Sequence, residues 1–120
     1  MGDLVKLKIA DIVGSPVWVS TEDGQKVFQE ITAALSANAV VELSFANREN
    51  LITAFLNAAI GQLYGGAYEE SFLKEHLGYS DTTEDDRVML ERVIQNAKRY
   101  FANRQAYDRV WDEAVDEDEE

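Results

Sequence analysis

Residues 4–10, Leu-Val-Lys-Leu-Lys-Ile-Ala, alternate in polarity. Val5, Leu7 and Ile9 share one side and Lys6 and Lys8 the other, the period of a half-buried strand. Val13-Gly14-Ser15-Pro16 reads as a turn, and Val17-Trp18-Val19 as a short second strand. Ser20 or Thr21 can then cap a helix over 22–36, where Val27, Phe28, Ile31, Ala34 and Leu35 recur at three- and four-residue spacing. Val41, Leu43 and Phe45 alternate with Val40, Glu42 and Ser44, which predicts a third strand over 40–46. The polar run Asn47-Arg48-Glu49-Asn50 reads as a loop, and Thr53 stands at the expected N-cap of a helix that is apolar nearly all round. Gly65-Gly66 is a plausible stop. Glu69 to Leu77 has helical spacing and leads into a short strand at Leu77-Gly78-Tyr79. Asp81 and Glu84 have the spacing of a capping box. Behind them Met89, Leu90, Val93, Ile94, Ala97, Tyr100 and Phe101 mark a long helix, which Tyr107, Val110, Trp111 and Ala114 can continue. Strands alternating with helices favour a central sheet with helices packed on it.

Composition adds limits. The chain has 120 residues, 46% of them hydrophobic, and no Cys, so it is sized for one domain with a real core and lacks disulfides and thiol chemistry. Met1-Gly2-Asp3-Leu4 lacks the basic start and long apolar stretch of a secretory signal, and no run is long enough to cross a bilayer. A cytoplasmic protein without membrane contact is expected. The net charge of -12 is uneven: residues 112–120 carry seven of the 23 acids and no base, leaving 16 acids against 11 bases elsewhere. Residues 87–109 are locally basic. The overall sign argues against a direct nucleic-acid surface, because phosphate contacts need cations.

The segments SPVWVSTEDGQKVFQEITAAL, VVELSFANRENLITAFLNAAIGQLY and TTEDDRVMLERVIQNAKRYF resemble a bacterial family, the STAS-like domains of unknown function, over roughly residues 4–103. The middle block, running through Ile52-Thr53-Ala54-Phe55-Leu56, is its most specific part. The resemblance implies an anti-sigma-factor-antagonist fold: a single small α/β domain over 1–103 with a mixed four-stranded sheet flanked by helices. A terminal helix over 104–115 and a disordered acidic tail over 116–120 are expected to follow. The resemblance also implies a regulatory module whose partner is a histidine-kinase-like ATPase. In the better-understood antagonists a Ser at the start of the helix after the third strand is phosphorylated by that partner, and the added charge disrupts binding. Carried over without gaps, the motif falls on Ile52, Thr53, Ala54 and Phe55, with Ala54 at the modified position and Thr53 the only hydroxyl.

Thr53 reads first as an ordinary helix cap and second as a candidate phosphoacceptor; the two roles can coexist. Asn47, Arg48, Glu49, Asn50 and Asn57 are candidate partner-binding residues around it, and Trp111, on a terminal amphipathic helix, is a further candidate anchor. Glu84-Asp85-Asp86 reads as first-turn acids that complement the helix dipole rather than a metal site. His76 reads as a surface His with no second His or Cys for a metal and no nucleophile spacing. No enzyme signature, metal set or cofactor motif emerges. A non-enzymatic, cofactor-free binding module is the expectation. The rival reading is an acidic inhibitor or nucleic-acid mimic from a phage or mobile element, with the tail occupying a basic groove.

Overall fold

A computed structural model describes residues 3–65 and 68–100. Strand β1, Leu4–Lys8, turns Val5 and Leu7 inward and Lys6 and Lys8 to water. The chain then coils at once into a five-residue helix α1, Ile9–Val13. The sequence reading extended β1 to residue 10. Ile9, Ile12 and Val13 also satisfy helical i, i+3, i+4 spacing, and coiling there buries Ile9 completely. Gly14, at φ 81°, closes α1 in the left-handed region and donates its N–H to the Ala10 carbonyl at 2.8 Å.

The turn that follows is held by Ser15, whose Oγ accepts from Val17 N at 3.0 Å and whose carbonyl accepts from Trp18 Nε1 at 2.8 Å. Strand β2, Val17–Trp18, sends Trp18 fully into the core. There it meets Phe45 edge-on and stacks on Phe55, with centroids 5.7 and 5.8 Å away. Helix α2, Thr21–Ser36, is capped by Ser20 Oγ, which accepts from Asp23 N at 3.0 Å. Its buried stripe is Gly24, Val27, Ile31 and Leu35.

Strand β3, Val40–Ser44, is central, and β4, Asn50–Leu51, follows after a loop. Helix α3, Thr53–Ala59, runs into a 3₁₀ turn at Gly61–Tyr64. The single helix expected here breaks at Ile60, which leaves helical geometry at φ -123°, next to the poor helix former Gly61. Helix α4, Glu70–His76, leads directly into β5, Leu77–Ser80, as the sequence predicted. Helix α5 begins at residue 84 and is still helical at 100. No described helix is long and apolar enough to cross a membrane.

The mixed four-stranded sheet expected from the resemblance is not present among the described residues. Instead β1, β3 and β5 form a three-stranded sheet in the order β1-β3-β5, all parallel, and β2 pairs with β4 in a separate parallel ribbon. The difference lies in Asn50–Leu51: sequence polarity puts Asn50 at the end of a loop, yet with Leu51 it forms the strand that pairs with β2 apart from the main sheet. Helices cover one face of the main sheet, where Val41, Leu43, Leu77 and Tyr79 join the core. The opposite face carries Leu4, Lys6, Glu42 and Gly78 and is open to water, with Lys6 and Glu42 in a loose ion pair at 3.8 Å. Parallel sheets are usually covered on both faces. Lys6 and Lys8 on β1 and Glu42 on β3 are the sequence signature of this exception among the described residues.

On the helical side, α4, β5 and α5 enclose a cavity of about 400 Å³ lined by Tyr64 and Tyr79. The Tyr79 hydroxyl is buried beside Tyr64, and burial pushes its ionisation far above the ordinary phenol range. Above pH of about 10 an unfolded chain loses this proton while the folded chain keeps it, so stability should fall as pH rises. Urea titrations across the alkaline range should show that decline, and Tyr79→Phe should flatten it. An unchanged slope in the variant would place the effect on other groups.

Candidate functional site

Parallel pairing of β2 with β4 places Val17 beside Asn50 and Trp18 beside Leu51. Each strand feeds a helix: β2 leads through Val19 and Ser20 into α2, and β4 leads through Ile52 into α3. The two helix starts therefore lie side by side, and α2 and α3 pack closely behind them. Ile52 N donates to the Trp18 carbonyl at 3.3 Å, and Glu49 N donates to the Pro16 carbonyl at 2.8 Å, which ties the ribbon at both ends.

Thr53 is exposed and is the first residue of α3 rather than its cap. The N-cap is Ile52, at φ -121° and ψ 160°, and it offers no side-chain hydrogen bond. The cap assignment made from sequence thus moves by one residue. Thr53 Oγ1 is left at the surface next to the half-exposed Ile52 side chain, with Ala54 also exposed.

The loop before β4 is built on Asn47, whose φ of 67° suits an Asn in the left-handed region. Arg48 does not project to solvent. Its Nε lies 2.7 Å from Asp86 Oδ1, a close ion pair in which the N–H is not aligned as a hydrogen bond. The Asp86 side chain is only 3% exposed. Its other oxygen, Oδ2, accepts from Thr83 N at 3.0 Å, while Thr83 Oγ1 accepts from Asp86 N at 3.1 Å. That reciprocal pair is a capping box, two residues later than the Asp81–Glu84 box read from sequence. Asp86 is a first-turn acid, as the sequence reading has it, but a buried one, and it clasps the loop to the start of α5. Nearby, Ser44 Oγ donates to Asp81 Oδ2 at 2.6 Å, joining the carboxyl ends of β3 and β5.

Asn47, Arg48 and Glu49 line one wall of an open cleft of about 780 Å³ whose other wall includes Asp11, Ser15 and Pro16. Asn50 and Thr53 continue along the same chain segment at the surface. Asn57 is exposed too but faces a different cavity, of about 520 Å³, shared with Gln62, Asn96 and Tyr100. His76 is partly buried, stacks on Phe72 with centroids 4.0 Å apart, and has Nδ1 2.9 Å from the Phe72 carbonyl. Trp111, the terminal helix over 104–115 and the tail over 116–120 lie outside the described residues. Sequence reading places Val19 in a short strand, Ile52 just ahead of a helix and Asp86 among first-turn acids, but gives none of the three a role at the site. Thr83 followed three residues later by Asp86 is the sequence signal for the capping box, and Asp81 followed by Glu84 offers a competing one.

A family model described as a STAS-like domain of unknown function matches residues 23–87. The chain belongs to that family. The match runs from the first turn of α2 into the first turn of α5, so the ribbon's second strand, the loop and the start of α3 of this STAS-like domain all fall inside it. Comparison with curated proteins and with solved structures found no match.

Proposed function

We propose that this STAS-like domain is a non-enzymatic regulatory module that binds a partner protein through the loop and helix start over 47–54. The exposed position of Thr53 at the start of α3, beside Ile52, carries the reading. A hydroxyl there is reachable by a kinase active site, and the residues around it are held by the ribbon and by the Arg48–Asp86 clasp. A phosphate added beside Ile52 would have to lose water for any partner that covers the apolar surface, which weakens docking. The partner class that the family resemblance suggests is a histidine-kinase-like ATPase.

Affinity capture from native-host lysate, with and without ATP, tests this. A kinase-like ATPase should be retained by the wild-type chain and by Thr53→Ala, and lost at least tenfold by Thr53→Glu, with the circular dichroism of all three unchanged. Equal retention by Thr53→Glu would rule out a switch at this position.

A further inference from the structure

We propose that the outer face of the β2–β4 ribbon is a docking surface for a polypeptide segment that presents an apolar side chain flanked by Lys or Arg. The inference rests on the binding-module reading and specifies the chemistry of the partner. Side chains alternate along a strand, so while Trp18 points into the core, Val17 and Val19 share the outer side, as do Asn50 and Ile52. Val19 is 42% and Ile52 43% exposed. The Trp18–Leu51 register makes these two apolar side chains neighbours. The other large exposed hydrophobic residues among those described, Leu4, Val88 and Tyr100, lie singly on β1 and α5.

Charge selects the occupant. Glu49 and Asp11 stand exposed at the entrance of the ribbon, and the one cation lining that cleft among the described residues, Arg48, is already paired with Asp86. Glu22 is exposed in the first turn of α2, beyond the other end. An apolar centre with acids at both ends attracts a segment with cationic flanks and repels an acidic one. The chain's own run at 112–120, seven acids with no base, has the wrong sign to fill it. The surface is also preformed, because the Ser15, Trp18 and Pro16 hydrogen bonds fix both strands before anything binds, which lowers the ordering cost.

The test uses two synthetic peptides of equal length, a leucine-centred one flanked by lysines and its glutamate-flanked counterpart, titrated into the isotopically labelled full chain and followed by amide chemical shifts. The lysine peptide should shift amides of residues 17–22 and 49–54, and about 0.5 M salt should weaken its binding severalfold. Glu49→Lys should weaken it at least threefold. A Val19→Ser/Ile52→Ser variant should lose the ribbon shifts while its remaining spectrum stays in place. Shifts confined to 112–120, or equal binding of the glutamate peptide, would overturn the proposal. Its failure is separable from that of the Thr53 switch: the capture experiment reads a host partner and its response to Thr53→Glu, whereas the peptide titration reads the ribbon itself.

Discussion

Replacing Asp86 with alanine is expected to cost the fold about 3 kcal/mol, because two supports go together. The Arg48 guanidinium, 22% exposed, loses the carboxylate 2.7 Å away, and the N–H of Thr83 at the start of α5 loses its acceptor. Partial access to water keeps the loss below the upper end for buried pairs. Asp86→Asn, which keeps an acceptor for Thr83 but no charge, should fall about halfway. Arg48→Met retains the cap and the packing of the stem but orphans the buried Asp86 carboxylate, and should cost about 3 kcal/mol as well. The double variant should be less destabilised than the sum of the singles, since the second change removes the charge orphaned by the first. Urea denaturation of the four variants measures all of this. A loss under about 1 kcal/mol for Asp86→Ala would show that the clasp contributes little beyond an exposed ion pair. Amide exchange in the loop over 45–50 should quicken in step with the loss, since the clasp is what joins that loop to α5.

Gly24→Ala is expected to destabilise by about 2 kcal/mol even though alanine is the better helix former. A methyl group at Gly24 would come within 2.6 Å of the Phe55 carbonyl oxygen and 2.8 Å of Ala58 Cβ, so α2 and α3 must move apart. The first obstacle is backbone, which cannot rotate away as a side-chain tip can. The helix-propensity gain of about 1 kcal/mol offsets only part of the overpacking. Gly24→Val should be worse, and Gly78→Ala serves as the control, because nothing lies within 4 Å of a Cβ on that open sheet face. Thermal unfolding of the three variants is the measurement. A Gly24→Ala protein as stable as wild type would mean that the α2–α3 contact relaxes freely. Since α2 and α3 start at the ribbon, spreading them should also disturb the positions of Val19 and Thr53.

Much of this architecture can be read from residue order alone, for physical reasons that differ between elements. The alternation in β1 and β3 carries both the strands and their single buried face, because Lys6 and Glu42 could not sit under a helix layer. The stripe of Val27, Ile31 and Leu35 similarly carries α2. Sheet direction was also implicit: a helix stands between β1 and β3 and again between β3 and β5, which is the connection parallel strands need. The mixed sheet came from resemblance and not from that connectivity. What could not be read was decided at a distance. Asn50–Leu51 becomes a strand only because β2 arrives beside it, and Arg48 is withdrawn from the surface only because Asp86, 38 positions later, meets it. Within the candidate segment over 47–53 the structural roles differ from those read in sequence: Thr53 lies one residue inside the helix, and Arg48 is an internal tie.

The all-parallel sheet has a consequence for how the chain is made. Leu4 pairs with Val40 and Val41 with Leu77, each pair 36 positions apart, so neither pairing can close as a local hairpin. During synthesis β1 must wait for β3, and β3 must then wait for β5 with one edge unsatisfied. At typical elongation rates each wait lasts roughly 2 to 7 s, long compared with helix formation. A nascent strand edge left open for seconds is a template for another chain. The short strands of four or five residues, and the Lys6 and Glu42 charges on the wet face, are features that discourage such mispairing. The polar face of this sheet thereby also protects it on the ribosome.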